Sequence, residues 1–304
     1  MFATPSVPAT IRLAILLAAL TGLLPISAQA EAGLGGALAP TVAALESQSG
    51  GRIGVSITHL SSGETWSHRA NERFPLASTF KAFACAHLLD MADRGELDIQ
   101  RRVRFAEADL QSYSPVTKDK AGGNGMSLFE LCDATTSMSD NTAANLILEN
   151  TGGPAALTRF MRSIGDETTR LDRFEPALND VGPGEVRDTT SPAAAASSLR
   201  ALLLGNRLTA ASRRQLTAWL VANQVGGPLL RASLPGDWTI ADRTGSGEYG
   251  SRGIIAVIWP KPNGSSAPGP VVAAVYLTGT QLSLEERSAV IAQIGAAMVK
   301  DLTR

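Results

Sequence analysis

The sequence predicts an α+β fold in which an antiparallel sheet is built from both ends of the chain and packed against an all-helical insertion. Three observations predict it. Strand-like segments occur near both ends of the chain, the first of them, Arg52 to Leu60, alternating apolar and polar residues as a half-buried strand does. Segments of helical character fill the middle. The first two strand segments are joined by Ser61-Ser62-Gly63, a hairpin turn that makes them antiparallel. Strands and helices segregated in this way belong to an α+β layer architecture.

Residues 31–50, rich in Ala and Leu, read as a helix. Arg52 to Leu60 alternates as a strand, and a second strand follows near Glu64 to His68. A helix runs from Ser78 to about Asp93 and stops at Arg94-Gly95. Ser127 to Thr135 and Thr142 to Asn150 form two more. Thr151-Gly152-Gly153-Pro154 breaks the second and opens another that ends near Ser163. Residues 165–188 carry charges of both signs, two prolines and no sustained period. A run of that length inside a compact domain points to function or disorder. Pro192 suits the first position of a helix after Ser191, and another helix starts after Thr209. Three strands follow, Thr239–Arg243, Gly253–Trp259 and Val271–Leu277. Ser283-Leu284-Glu285-Glu286 is a capping box, and the final helix reaches about Asp301.

The first thirty residues read as an export signal. Arg12 precedes a short apolar run, Leu13 to Leu24, and Ala28-Gln29-Ala30 is a small-residue cleavage site. The run is too short for a comfortable membrane span, so the mature protein, residues 31–304, is expected to be periplasmic. The net charge is −1, and −2 without Arg12. That balance gives no reason to expect nucleic acid or an anionic membrane as partner, and the chain is expected to be monomeric. Cys85 and Cys132 are either a single disulfide or two buried thiols. An oxidising compartment favours the bridge, which would stabilise by about 4 kcal/mol on the chain-entropy model. His59, His68 and His87 are scattered, make no zinc pattern with the cysteines and are best read as surface or core residues.

The chemistry concentrates in short motifs. Ser78-Thr79-Phe80-Lys81 is the only S-x-x-K in the chain. A lysine three residues on shares the helix face of the serine and can serve as its base. Ala82 to Ala86 surround Lys81 with apolar groups, which lowers a lysine's pKa by desolvation. The free N–H groups of a helix start at Ser78 would polarise a carbonyl. Ser139-Asp140-Asn141 lies between helices and offers a hydroxyl for proton transfer and an amide for a substrate carbonyl. Arg243-Thr244-Gly245 ends a strand, and Arg252 stands on the strand after it. Two guanidiniums and a hydroxyl suit a carboxylate. Within the irregular segment, Glu175 with Asn179 can hold and activate a water, and Arg173 with Asp188 can close the loop. Taken singly, each motif is equally well explained by helix caps or solvated surface residues.

Taken together and in this order, the motifs resemble those of the class A serine β-lactamases, over essentially the whole mature length. The resemblance implies the two-lobed fold shared with penicillin-binding proteins. The α/β lobe would comprise about 31–78 and 209–304, and the all-helical lobe about 79–208. It implies that Ser78 attacks the lactam carbonyl to form an acyl-enzyme, its proton going to Lys81 or, through a water, to Glu175. Ser139 would relay a proton to the lactam nitrogen, and Glu175 with Asn179 would activate the water that releases product. Asn141 would hold the substrate's side-chain amide, and the N–H groups of Ser78 and Ser246 would form an oxyanion hole. Arg243, Thr244, Gly245, Ser246 and Arg252 would line the end that takes the substrate carboxylate. Tyr113 resembles the aromatic wall of the cleft. Cys85 and Cys132 match a disulfide of some members. No metal or organic cofactor is implied.

One position departs from the family's pattern: arginine stands at 243 where most members have lysine. Arginine is always charged and binds carboxylates bidentately. Arg243, with Gln224-Val225 and Ile240-Ala241-Asp242, resembles the carbenicillin-hydrolysing subgroup and implies turnover of carboxypenicillins. Two other functions share part of the motif set. A penicillin-binding peptidase would have Ser78, Lys81, Ser139 and Asn141 but no use for Glu175. A covalent lactam sensor would need a membrane tether.

Overall fold

The computed structural model describes residues 1–3, 33–261 and 269–304. The proposed signal segment otherwise lies outside the described residues. Helix α1 (Leu38–Ser49) leads into strands β1 (Arg52–His59), β2 (Thr65–His68) and the two-residue β3 (Phe74–Pro75). Helix α2 (Phe80–Asp93) and the short pair β4 (Arg102–Val103) and β5 (Met126–Ser127) follow. Helices α3 (Leu128–Ser137), α4 (Asn141–Asn150) and α5 (Gly153–Ser163) come next. Strand β6 (Thr189–Thr190) precedes α6 (Pro192–Leu203) and α7 (Ala210–Val221). The chain closes with β7 (Thr239–Ser246), β8 (Arg252–Trp259), β9 (Val271–Thr278) and α8 (Leu284–Leu302).

The main sheet has the order β2-β1-β9-β8-β7, antiparallel throughout, so strands from both ends of the chain build one sheet and meet at β1–β9, as the sequence predicts. Alternation along each strand sends side chains to opposite faces. Ile53, Val55, Ile57, Ile254, Ile258, Val271 and Val275 pack with Val42 and Leu45 of α1 and Ile291, Ile294 and Met298 of α8. Ile255, Val257, Val272, Ala274 and Tyr276 face the other way. They continue into a core of Phe80, Phe83, Leu88, Leu131, Ile147 and Leu199 from the helical layer. Each such fully buried side chain contributes about 1.5–3 kcal/mol. The two layers form one compact unit, Ala32–Arg304.

Several boundaries move for physical reasons. The first helix starts at Leu38 rather than near 31, because its cap comes from the far end of the chain. The Asp301 carboxylate of α8 accepts the backbone N–H groups of Gly35, Ala37 and Leu38 at 3.0, 2.7 and 3.1 Å. Strand β7 runs on to Ser246, pairing as far as Ser246 with Arg252. Ser78 belongs to a 3-10 turn, Ala77–Thr79, and the α-helix proper starts at Phe80. Cys85 of α2 and Cys132 of α3 are joined by a disulfide with Cα atoms 5.7 Å apart, tying the two helices together. His87 is buried and stacks on Phe160, while the partly exposed His68 bonds to Glu46 at 3.0 Å. Among the described residues no helix is long and apolar enough to cross a membrane.

Candidate active site

The site forms where the helical layer meets the β7 edge of the sheet. Ser78 is presented by its 3-10 turn. That turn is held by the Thr79 hydroxyl, which donates to Leu76 O at 2.6 Å. Ala77 has φ +41°, a left-handed conformation that a non-glycine residue adopts at a cost of about 1–3 kcal/mol. Tyr113 and Ser139, both at φ +62°, share this feature. Tyr113 and Ser139 line the cleft and Ala77 precedes the cleft residue Ser78, so these three left-handed residues all stand at the site. Gly245 of β7 packs against the turn. A Cβ there would lie 3.0 Å from Leu76 O and 3.1 Å from Ser78 N. Glycine therefore lets the β7 backbone, and with it Ser246, approach Ser78.

Lys81 lies on the first turn of α2 and is fully buried. Its Nζ donates to Asn141 Oδ1 at 2.6 Å, Ser139 O at 3.0 Å and Ser139 Oγ at 3.3 Å, and lies 3.1 Å from Glu175 Oε1. Desolvation pushes its pKa down to about 8. Glu175 opposes that shift and the Arg243 cation adds to it. The Ser78 hydroxyl donates not to Lys81 but to Glu175 Oε1, at 3.4 Å. One carboxylate oxygen therefore touches both the serine and the lysine.

Glu175 comes from the irregular segment, which folds over the cleft with a single 3-10 turn, Ala177–Asn179. Asn179 Nδ2 donates to Glu175 Oε2 at 2.5 Å. Asn145 of α4 clamps the Glu175 backbone from both sides: its Nδ2 donates to Glu175 O at 2.9 Å, and its Oδ1 accepts Glu175 N at 2.9 Å. The base of the segment is closed by Asp188, fully buried, whose Oδ2 accepts Arg173 Nε at 2.6 Å. Its Oδ1 accepts the backbone N–H groups of Asp172 and Arg173 at 2.7 and 3.0 Å.

Ser139 and Asn141 flank Asp140, which caps α4 through Ala143 N at 2.9 Å. Asp140 also anchors Val116 and Thr117, whose backbone N–H groups reach its Oδ2 at 3.0 and 2.9 Å. Asn141 Nδ2 donates to Ser112 O at 2.8 Å, and Asn141 N donates to Tyr113 O at 3.1 Å. The Tyr113 ring, 57% exposed, stands at the cleft wall.

The cleft measures about 420 Å³ and is lined by Ser78, Tyr113, Ser139, Asn141, Asn179, Thr244, Gly245, Ser246 and Arg252. Arg243 lies behind this wall. It is fully buried, and its Nη2 donates to Ser139 Oγ, so that hydroxyl accepts from two cations at once. Arg243 Nε has no hydrogen-bond partner among the described residues. The neighbouring Asp242 is taken by Arg231 Nε at 2.7 Å and Asn223 Nδ2 at 2.8 Å. Desolvation lowers the Arg243 and Arg252 pKa values to about 10, leaving both charged at neutral pH. Cations at this end of the cleft favour an anionic ligand group.

Sequence reasoning missed Asn145 and did not place Val225 or Leu284 in the cleft wall. Asn145 follows Asn141 by one helical turn, and that i, i+4 spacing was the available signal. Val225, named with Gln224 only for its likeness to the subgroup, and Leu284, named only within a capping box, line the cleft as apolar residues in a turn and at a helix start.

Comparison with known proteins shows the family. The model of the beta-lactamase enzyme family matches residues 37–302. The chain is 47% identical to beta-lactamase AER-1 of Aeromonas hydrophila over 247 residues, covering 81% of this chain and 80% of that protein. Among solved structures, the reconstructed class A beta-lactamase of the last common ancestor of Gram-negative bacteria superposes with a TM-score of 0.83 at 51% identity. It covers 87% of this chain and 98% of that one. The chromosome-encoded beta-lactamase of Vibrio parahaemolyticus gives a TM-score of 0.83 at 45% identity, over 86% and 98%.

Proposed function

The chain belongs to the class A beta-lactamases, serine hydrolases that open cyclic amides, and we propose that it hydrolyses penicillins, carboxypenicillins such as carbenicillin included, through a serine acyl-enzyme. The observation that carries this is Glu175 Oε1, buried and in contact with both Ser78 Oγ and Lys81 Nζ. A carboxylate delivered to the nucleophile is what separates a hydrolase from an enzyme that only acylates.

In the proposed cycle the lactam carbonyl sits against the backbone N–H groups of Ser78 and Ser246. Asn141 holds the side-chain amide, Tyr113 packs on the substrate, and Thr244, Ser246 and Arg252 meet the ring carboxylate. Ser78 Oγ attacks the carbonyl carbon and its proton passes to Glu175. Glu175 suits this role because Ser78 already donates to it, whereas Lys81 Nζ is committed to Asn141, Ser139 and Glu175. The C–N bond breaks as the Ser139 hydroxyl gives its proton to the departing nitrogen and is reprotonated from Lys81. Ser139 is poised for this: two cations occupy its lone pairs, so its own hydrogen points away from them. Glu175, after returning its proton to Lys81, accepts one from a water positioned with Asn179. The water attacks the ester, and Ser78 leaves with a proton. The net reaction adds one water across the lactam amide.

Arg243 supports the carboxypenicillin part of the proposal. It brings a planar, permanently charged group to Ser139 with one N–H still unpartnered, which adds positive field for a substrate that carries two carboxylates. Arg12, the apolar run Leu13 to Leu24 and Ala28-Gln29-Ala30 support removal of residues 1–30 and action in the periplasm, and the proposed enzyme is a monomer with lobes of about 31–78 plus 209–304 and 79–208. Steady-state rates for carbenicillin and benzylpenicillin test the substrate range. Comparable turnover of both supports it, and slow carbenicillin turnover beside fast benzylpenicillin turnover rejects it.

A further inference from the structure

We propose that Tyr276 is a positioning residue for the nucleophile: from a trough in the sheet its phenol grips the turn that presents Ser78. The inference rests on the role proposed above for Ser78 as the residue that attacks the lactam. Tyr276 stands on β9 in a cross-strand row that also holds Gly54 of β1, Gly253 of β8 and Gly245 of β7. Residues paired in this way point to one face of a sheet, here the face toward the helical layer. Tyr276 is the only side chain in its row. The glycines on either side leave space that a larger residue would fill. A Cβ on Gly253 would lie 2.6 Å from Tyr276 Cδ1, and one on Gly54 would lie 2.4 Å from Phe74 Cε2. The segment from Phe74 to Thr79 runs along this trough.

Tyr276 holds that segment at both ends. Its ring stacks on Phe74 with centroids 6.2 Å apart, and its hydroxyl meets Thr79 Oγ1 at 3.1 Å. What lies beyond Thr79 fixes the direction of the bond. Thr79 has one hydroxyl hydrogen and gives it to Leu76 O, at 2.6 Å, since a carbonyl can only accept. Thr79 therefore accepts from Tyr276, and the chain of donors runs from Tyr276 through Thr79 to Leu76. Burial pushes the phenol pKa well above its ordinary value, so the proton it donates is kept at neutral pH. Leu76 and Thr79 flank Ala77, at φ +41°, and Ser78. The bonded chain thus fixes the two ends of a strained turn, and with them the directions of Ser78 N and Oγ. Tyr276, Thr79 and Leu76 do not line the cleft, so Tyr276 acts on substrate only through Ser78.

The test uses the mature enzyme with Tyr276→Phe, Thr79→Ala, Thr79→Ser and the Tyr276→Phe/Thr79→Ala double variant, each held well below its melting temperature. Two constants are read. One is kcat/KM for benzylpenicillin. The other is the affinity of a boronic acid with the same phenylacetamido side chain, whose boron bonds to Ser78 Oγ. Tyr276→Phe is expected to lower both about fivefold, the weight of one neutral hydrogen bond. Thr79→Ala is expected to lose at least as much, and Thr79→Ser, which keeps the hydroxyl, to retain both constants. Tyr276→Phe should add nothing to Thr79→Ala, because the two remove one interaction. A lower melting temperature with both constants unchanged marks a merely structural residue and overturns the proposal. Independent, multiplying losses in the double variant overturn it too. If Tyr276→Phe does not fold, Thr79→Ser against Thr79→Ala decides, and equal constants overturn the proposal. Mass measurement of Ser78→Ala with benzylpenicillin separates the two readings. A covalent adduct there removes Ser78 as nucleophile and this inference with it, whereas no adduct beside an unchanged Tyr276→Phe removes the inference alone.

Discussion

Lys81 Nζ and Glu175 Oε1 stand 3.1 Å apart with both side chains fully shielded from solvent. An ion pair so placed is not there for stability, because removing two charges from water costs as much as their attraction returns. Its value is to hold a base and a proton reservoir beside Ser78. Three segments far apart in sequence supply the parts: the start of α2, the start of α4, and the loop that Asn145 clamps.

Glu175→Ala is expected to acylate and then stall. The attacking water loses its base, while Ser78, Ser139 and the backbone N–H groups remain. Intact-mass measurement after mixing with benzylpenicillin should show the protein plus one whole penicillin, persisting for minutes or longer. Turnover within about tenfold of the parent enzyme, a difference of only about 1.4 kcal/mol in barrier, would remove Glu175 from deacylation.

The pH dependence follows from Lys81. Its pKa of about 8 leaves it mainly charged at pH 7, and the charged form is the one that reprotonates Ser139. kcat/KM should therefore fall as pH rises through about 8. A rate that climbs through pH 8 would instead make the neutral amine the base. Stability moves the other way. Between about pH 8 and the unfolded value of 10.5 the unfolded chain still binds the proton that the folded protein has released. The burial penalty of Lys81 is complete below pH 8 and relieved across that window. Urea denaturation of the enzyme and of Lys81→Met at pH 7 and pH 10 should show the gap between them narrowing.

Arg243→Lys keeps a positive charge beside Ser139 but loses the planar fork and the unpartnered Nε. Carbenicillin turnover relative to benzylpenicillin should drop by about tenfold, the scale of one charge-assisted hydrogen bond. An unmoved ratio would show that Arg243 does not set the preference.

Asp188→Ala opens the base of the Glu175 loop and leaves Arg173, half-buried, with no carboxylate. Breaking a buried pair on one side costs about 3–5 kcal/mol. Thermal unfolding should shift down accordingly, and deacylation should slow more than acylation. Asp301→Ala makes the contrasting case. It strips three N–H acceptors from the start of α1 at a cost of about 2–4 kcal/mol. It lies 17 residues along α8 from Leu284, roughly 25 Å by helix rise, so kcat and KM should hold.

Much of this was legible in the chain because its signals are local. Ser78 and Lys81 stand three residues apart where α2 begins, Ser127, Ser191 and Ser283 cap helices that begin just after them, and the alternation of β1 with the apolar runs of β8 and β9 marks the sheet. What escaped depends on distant partners. The start of α1 is set by Asp301, the direction of Arg252 by Ser288, and the hydrogen bond of Ser78 by a glutamate 97 positions away. The pairs β3–β6 and β4–β5 hold two residues per strand, too few for any period to register. Arg243 read as a strand-end cation facing solvent or substrate. It is buried because the helical layer, invisible in a local window, closes over it.

The most direct measurement is the stoichiometry of benzylpenicillin loss by residues 31–304 with the lactam in large excess, followed by absorbance. The Ser78–Glu175–Lys81 arrangement predicts many turnovers per enzyme at a steady rate until substrate is exhausted. One equivalent consumed and then silence would mean that Glu175, despite its contact with Ser78, does not release the acyl group.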